Sequence, residues 1–308
     1  MLQEIIDILF QSIKEPFGYF LSPKKRLYIL YLSTSLVLAL YVYFKKRTQV
    51  SFLRYIFPKK IWLNQSAQVD YSLFIINGFF KVIILAPIVI LGIYLQEWVS
   101  ELLFNVFGTP NIELSRSSIV ITYTIVLWLF GDFAHFYLHY LMHKIPLLWK
   151  FHKIHHSATV LNPITQYRIH PLELVLNNLK SIIVFGVVTG LFYYLTNGKI
   201  GIIAFLGVNV FKFVFLTIGS NLRHSHVKFT FPLWLEYIFI SPFQHQIHHS
   251  DKQEHYDKNI GSHLAIWDWL FGSLIVSKKV KNLRFGLGRK EGEKHKSILD
   301  NLTTPFRK

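Results

Sequence analysis

Five stretches of this 308-residue sequence, at about 27–44, 72–96, 117–138, 175–195 and 200–220, are apolar enough and long enough to cross a lipid bilayer. Hydrocarbon offers no water to backbone N–H and C=O groups, so a spanning chain must form helices or a closed barrel. Long apolar runs without alternating polarity select the helix. The composition agrees, since 52% hydrophobic and 17% aromatic residues is rare for a soluble domain of this length. The sequence therefore predicts an all-α integral membrane helical bundle of about four to five spans. The first run is near the lower length limit. The last two are joined by Thr196-Asn197-Gly198-Lys199, which predicts a helical hairpin. Leu2, Ile5, Ile6, Leu9, Phe10, Ile13 and Phe17 recur at helical spacing and predict an interfacial amphipathic helix over 2–17. The first residues lack the pattern of a cleaved signal, so the mature chain is expected to start at Met1.

Charge placement orients the spans. The segment 45–71 carries Lys45, Lys46, Arg47, Arg54, Lys59 and Lys60 against Asp70, whereas 97–116 carries Glu97, Glu101 and Glu113 against Arg116. The positive-inside rule makes the first loop cytoplasmic and the second not. The third span then exits on the cytoplasmic side, and the fourth and fifth return the chain there before His224. Lys24-Lys25-Arg26 is the exception, placed on the far side unless the first span is re-entrant. The formal charge of +16 is dispersed over span ends and the C-terminal segment, which suits lipid headgroups and argues against a nucleic-acid partner.

Eight histidines fall into three clusters, His139/His143, His152/His155/His156 and His245/His248/His249, spaced H-x-x-x-H, H-x-x-H-H and H-x-x-H-H. Residues three and four apart share a helix face, so each cluster is expected to aim its rings at one point. Imidazole is the commonest protein ligand of transition metals, and eight exceed the needs of one ion. The pattern predicts a two-metal site at the membrane surface, inside a histidine-lined cytoplasmic helical cap. A single interfacial histidine would be read as a cap or headgroup contact, but burying this many ionisable rings without a metal is too costly. The chain has no cysteine, which excludes disulfides, thiolate-bound zinc, cysteine-held iron–sulfur clusters and haem-thiolate centres. Ligand type alone admits iron, zinc, copper or nickel. The absence of a positioned nucleophile or carboxylate dyad argues against hydrolysis and for oxidation of an unactivated C–H bond. No dinucleotide fingerprint, flavin motif or haem attachment sequence is present, so electrons must come from outside.

The surrounding residues carry a resemblance. Asp132-Phe133 opens the first cluster, Pro146-Leu147-Leu148-Trp149 separates the first two, and Phe151-His152-Lys153-Ile154-His155-His156-Ser157 holds the second. Then come Tyr167-Arg168-Ile169-His170-Pro171-Leu172-Glu173, Asn221-Leu222-Arg223-His224-Ser225, His245-Gln246-Ile247-His248-His249-Ser250, Asn259-Ile260-Gly261 and Trp267-Asp268-Trp269-Leu270-Phe271-Gly272. Over roughly 125–276 the chain resembles the fatty acid hydroxylase/sterol desaturase superfamily of integral-membrane di-iron oxygenases. The first hundred residues carry no such likeness.

The resemblance implies His139, His143, His152, His155, His156, His245, His248 and His249 as metal ligands, with His170 and His224 as further ones. It implies two iron ions, dioxygen as co-substrate, and no catalytic residue beyond the ligands. Asp132 and Asn259 resemble cofactor-site groups that orient imidazoles, although a helix-end Asp and a turn Asn read the same way. Tyr140 stands where the family often has Arg, and His226 where it often has Asn. Contact of His135, His226 or His255 with metal is left open, while His263 and His295 read as ordinary polar residues. The implied substrate is a fatty acyl, sterol or related lipid, hydroxylated or, with the same site, desaturated. The implied electron donor is a b-type cytochrome or a ferredoxin with its reductase. Lys150, Lys153, Lys252 and Lys258 suit either an acidic donor or lipid headgroups. A histidine-rich metal transporter is the alternative of another class, disfavoured because the ligands lie past the span ends and acids within spans are scarce apart from Asp132. The expected layout is 1–116, an amphipathic helix and first spans; 117–276, a catalytic domain; and 277–308, a basic, mobile tail. A bacterial inner membrane and the endoplasmic reticulum both fit this topology.

Overall fold

The computed structural model describes residues 10–307 except Ile13. Of the expected amphipathic helix, Leu2, Ile5, Ile6, Leu9 and Ile13 therefore lie outside the described residues. The protein is mostly helical. A helix of 17 residues, α1 (Ile29–Lys45), is followed by the continuous helical stretch α2 (Gln65–Phe107), by α3 (Arg116–Lys144) and by the short α4 (Pro146–His156). Next comes α5 (Pro171–Leu195), and among the described residues α2, α3 and α5 are the helices long and apolar enough to cross a membrane.

At 1.5 Å per residue, α2 spans about 65 Å, twice the hydrocarbon thickness. Part of it must therefore stand outside the apolar layer, and a π-helical turn, Lys81–Leu85, precedes Pro87 where the register changes. The later turns of α2 lie against α5 across two glycines. A Cβ at Gly186 would come within 2.7 Å of Leu95, and one at Gly190 within 2.7 Å of the Gln96 carbonyl oxygen. Small residues four apart let two backbones approach closely, which is how apolar helices associate in lipid.

The fifth expected span is not a helix crossing the membrane. Residues 200–220 form a two-stranded antiparallel hairpin, β1 (Ala204–Phe205) and β2 (Val208–Asn209), then the eight-residue helix α6 (Val210–Thr217). Leu206 and Gly207, at φ 49° and 72°, make the tight hairpin turn. The backbone freed by this break is satisfied inside the protein. Thr124 on α3 accepts the Ile203 N–H on its Oγ1 at 2.8 Å, and its carbonyl accepts from Asn209 Nδ2 at 3.0 Å. Irregular backbone at membrane depth is stable only when protein supplies such partners. Periodicity registers apolarity and cannot see the left-handed turn that folds the run on itself.

Two further expectations change. The Arg26 carbonyl accepts from Asn221 Nδ2 at 2.8 Å and its guanidinium reaches Ser262 Oγ at 3.4 Å, so Lys24-Lys25-Arg26 packs beside the segments that carry His224 and the 257–264 loop rather than apart from the histidines. The C-terminal segment, expected to be mobile, is folded back on the cap. Its helix Ile298–Thr303 starts at a Ser297/Asp300 capping box, and its residues Ile298 and Leu302 pack on Val69, Leu73 and Ile154. Beneath it, Arg168 donates to Asp70 at 3.0 Å, to the Ile154 and Ser66 carbonyls at 2.9 Å each, and to Ser157 Oγ at 2.8 Å. Arg168 and Asp70 are fully buried, and this network joins the start of α2 to the end of α4.

Candidate metal centre

Each histidine-bearing element is shaped by its own sequence. Ser115 caps α3, which carries His139 and His143 in its last turns. Pro146 starts α4 with a fresh helix axis, so His152, His155 and His156 face back toward α3. The third cluster sits on α7 (Pro242–His248), opened by a Ser241/Gln244 capping box with Pro242 at the first position. Its final histidine, His249, is the C-cap.

The rings assemble into two neighbouring groups. His139, His143, His152, His156 and His248 form the first, and His155, His224, His245 and His249 the second, with all donor atoms in a group within 4.8 Å of one another. Neither H-x-x-H-H triplet points at a single centre. In each, the outer pair four residues apart joins one group and the middle ring joins the other, so α4 and α7 are shared reciprocally. The groups touch where His156 stacks on His249 at 4.8 Å between ring centroids.

Hydrogen bonds around the first group fix what its rings present inward. His139 Nδ1 donates to the Ile260 carbonyl at 2.7 Å, and His248 Nδ1 to the Lys258 carbonyl at 2.8 Å. A carbonyl only accepts, so both rings carry their proton on Nδ1 and leave a lone pair on Nε2. His152 Nδ1 donates in the same way to Glu173 Oε1 at 3.0 Å. Yet His139 Nε2 lies 2.9 Å from His152 Nε2 and 3.2 Å from His248 Nε2. None of the three can donate to the others, so three lone pairs converge on one point. Such an arrangement is repulsive unless a cation sits among them. Donors about 2.1 Å from an ion and at right angles would lie roughly 3.0 Å apart, which these spacings match. The donor set thus fits a metal ion.

The second group has the same inward spacing: His224 Nε2 lies 3.1 Å, 3.2 Å and 3.3 Å from the Nε2 atoms of His249, His245 and His155. Burial, followed by neighbouring charge, pushes His156, His224, His245, His248 and His249 well below the usual imidazole range, and brings His155 down to about 3. Neutral rings are the form that ligates metal.

Asp132 and Asn259 do not touch the ring nitrogens; they hold the loop that does. Asn259, at φ 52°, sits between the two carbonyls that accept from His248 and His139. Its amide donates to Gln244 O and Ile275 O at 3.0 Å each, and its Oδ1 accepts from Ile275 N at 2.7 Å. Asp132 accepts from His263 N at 2.9 Å, and from Leu264 N and Trp267 Nε1 at 3.0 Å each.

His170 is not brought to either group. It caps α5, its Nδ1 accepting from Leu172 N at 3.1 Å while Nε2 faces the Leu302 carbonyl at 3.3 Å. His135 stands one ring away from His139, His226 Nε2 donates to Tyr55 O at 2.6 Å, and His255 pairs with Glu254 at 3.4 Å. His263 lies against Asp132, and His295 Nδ1 faces Asn301. Sequence reasoning assigned no role to Glu173, an acid opening an apolar helix, or to Asp257, whose Oδ1 accepts from His143 Nδ1 at 3.2 Å. The first carried a signal; the second and the two backbone carbonyls carried none.

This geometry, with histidines from α3, α4, α7 and the 220–224 turn interlocked, coincides with a family match over residues 124–273, described as fatty acid hydroxylase. The chain carries a fatty acid hydroxylase domain. Every histidine of both groups lies within it. An ornithine lipid hydroxylase, OlsE of Rhizobium tropici, is 29% identical over 177 residues, covering 57% of this chain and 48% of that relative. The chain thus aligns with about half the length of this relative. No solved structure matches.

Proposed function

We propose that this chain is a membrane-bound di-iron monooxygenase that hydroxylates a lipid, each histidine group holding one iron ion. The observation that carries the reading is the convergence of the His139, His152 and His248 lone pairs inside a fatty acid hydroxylase domain. When bound, the two irons supply the activation of dioxygen and the oxidising power for C–H cleavage.

The chain's own residues bind, orient and exclude water. Ile260 O, Lys258 O and Glu173 hold three rings in one tautomer, so their donor atoms face inward without rearrangement. A cavity of about 670 Å³ borders both groups, reaching His139 and His152 of the first and His155, His224 and His245 of the second. Leu127, Val184, Phe185 and Leu216 give it an apolar side that suits an acyl chain entering between α3 and α5. A b-type cytochrome or a ferredoxin supplies electrons in this reading, docking at the cap, which faces the cytoplasm of a bacterial cell or of the endoplasmic reticulum membrane. Hydroxylation rather than desaturation is favoured by the activity in the name of the Rhizobium relative.

Metal analysis of the purified protein should return two equivalents of iron. Lipids from cells with and without the gene should differ by one oxygen atom that comes from labelled dioxygen. Label arriving from water would reject an oxygenase, and loss of two hydrogens without oxygen would make the enzyme a desaturase.

A further inference from the structure

The cavity beside the histidines has a second side that hydroxylation of a neutral lipid does not explain. Lys81 of α2, Lys180 of α5 and Lys212 of α6 line it together with Arg26 and Arg223. Basic groups among apolar helices are expensive and are retained where they meet a partner or a ligand. Among the described residues no carboxylate pairs with any of these five, whereas Lys25 beside them pairs with Glu15 at 3.3 Å. Lys180 Nζ lies 3.3 Å from His135 Nδ1, Lys81 contacts the Tyr19 hydroxyl and ring, and Lys212 has no hydrogen bond or ion pair among the described residues. Arg223 is 1% exposed; its Nη2 donates to the Gly261 carbonyl at 3.4 Å, and its Nε has no hydrogen-bond partner among the described residues. Of the two carboxylates of the cavity, Asp132 is engaged by the 263–267 loop, while Glu173 gives Oε1 to His152 and its Oε2 has no hydrogen-bond partner among the described residues. Lys24-Lys25-Arg26, anomalous in the charge count along the sequence, comes to this same cavity.

We infer that the cavity is an anion-accepting subsite that holds the carboxylate or phosphate of an acidic lipid beside the two histidine groups. Calling that lipid the substrate rests on the hydroxylase reading above; binding of the anion does not. Lys180 is one imidazole removed from the metal-facing ring of His139, since His135 lies between them with its ring centroid 6.1 Å from that of His139. The charged group is therefore held at the reactive end of the cavity, with the apolar side left for the chain.

The test is native mass spectrometry of the purified full chain titrated with dioctanoyl phosphatidic acid or with dioctanoyl glycerol, the same chains without the charge. The subsite predicts a preference of about ten-fold or more for the acidic lipid. K180Q/K212Q should abolish that preference, whereas K180R/K212R should keep it. Equal binding of the two lipids to the wild type, or an unchanged preference in K180Q/K212Q, would overturn the inference. Displacement of phosphatidic acid by equimolar inorganic phosphate would also overturn it, because the site would then read a free anion and not a lipid. The readout needs no turnover, so failure of the hydroxylase reading would register separately in the dioxygen experiment.

Discussion

The two histidine groups use one residue type but are braced differently. Around the first, His139, His143, His152 and His248 each direct Nδ1 at a carbonyl or carboxylate. Around the second, the buried Nδ1 atoms of His245 and His249 have no hydrogen-bond partner among the described residues. An imidazole whose outer nitrogen is tied has its tautomer and ring angle set before any ion arrives, whereas an untied ring must be ordered by the ion itself. The first group is thus the preorganised one, and its brace is the 257–264 loop together with the first turn of α5. The second is the less braced, with the outer nitrogens of His245 and His249 untied. Chelation should therefore empty the second group first.

The largest effect tests whether both groups are needed. His248→Ala removes a donor from the first and His155→Ala one from the second. Each should abolish lipid turnover while leaving membrane insertion intact, measured by product analysis beside fractionation of the variant. Full activity in either variant would remove that group from the site. Next, Glu173→Gln should weaken metal binding by about 10–100-fold in the first group only, read by equilibrium dialysis, because it deletes the carboxylate behind His152. Equal weakening of both ions would erase the contrast.

The loop gives a smaller, structural effect. Asn259→Ala loses three hydrogen bonds and strains a φ of 52°, so thermal unfolding should show a loss of about 1–3 kcal/mol. Asn259→Gly should recover part of this, since glycine tolerates the angle. The smallest effect concerns the C-terminal brace of α4, where Lys153 donates to Glu291 at 2.5 Å. That bond, and the neighbouring Lys294, hold the Glu291 carboxyl down to about 2 from an ordinary 4.5. Its folded value lies below the unfolded one, so the stabilisation is present above pH 4.5 and is lost as pH falls toward 2. Glu291→Gln should remove that dependence at a cost below about 1 kcal/mol, followed by melting curves across this range.

Part of the candidate site is legible in the spacing, because a helix carries its own geometry into any fold, but the expectation that each cluster aims at one point fails at the middle ring of both triplets. The membrane helices were legible for the same reason, apolarity over a sufficient length being a local property. The run 200–220 misled because a hairpin turn at Leu206-Gly207 and a partner at Thr124 outweighed its helical propensity. His170 misled because a helix cap and a ligand can occupy the same place in a motif. Lys24-Lys25-Arg26 stood out only as a misfit in the charge count.

What the sequence determined by itself was the inventory: apolar helices, histidines in turn-spaced sets, and no thiol to compete with them. Tertiary structure alone decided the division of those histidines, since the middle ring of each triplet joins the opposite group only after α4 and α7 face each other. It also decided the tautomers, because the atoms that set them are the backbone carbonyls of Lys258 and Ile260. Every residue possesses such a carbonyl, so no side-chain pattern can announce which ones will be turned toward a ring.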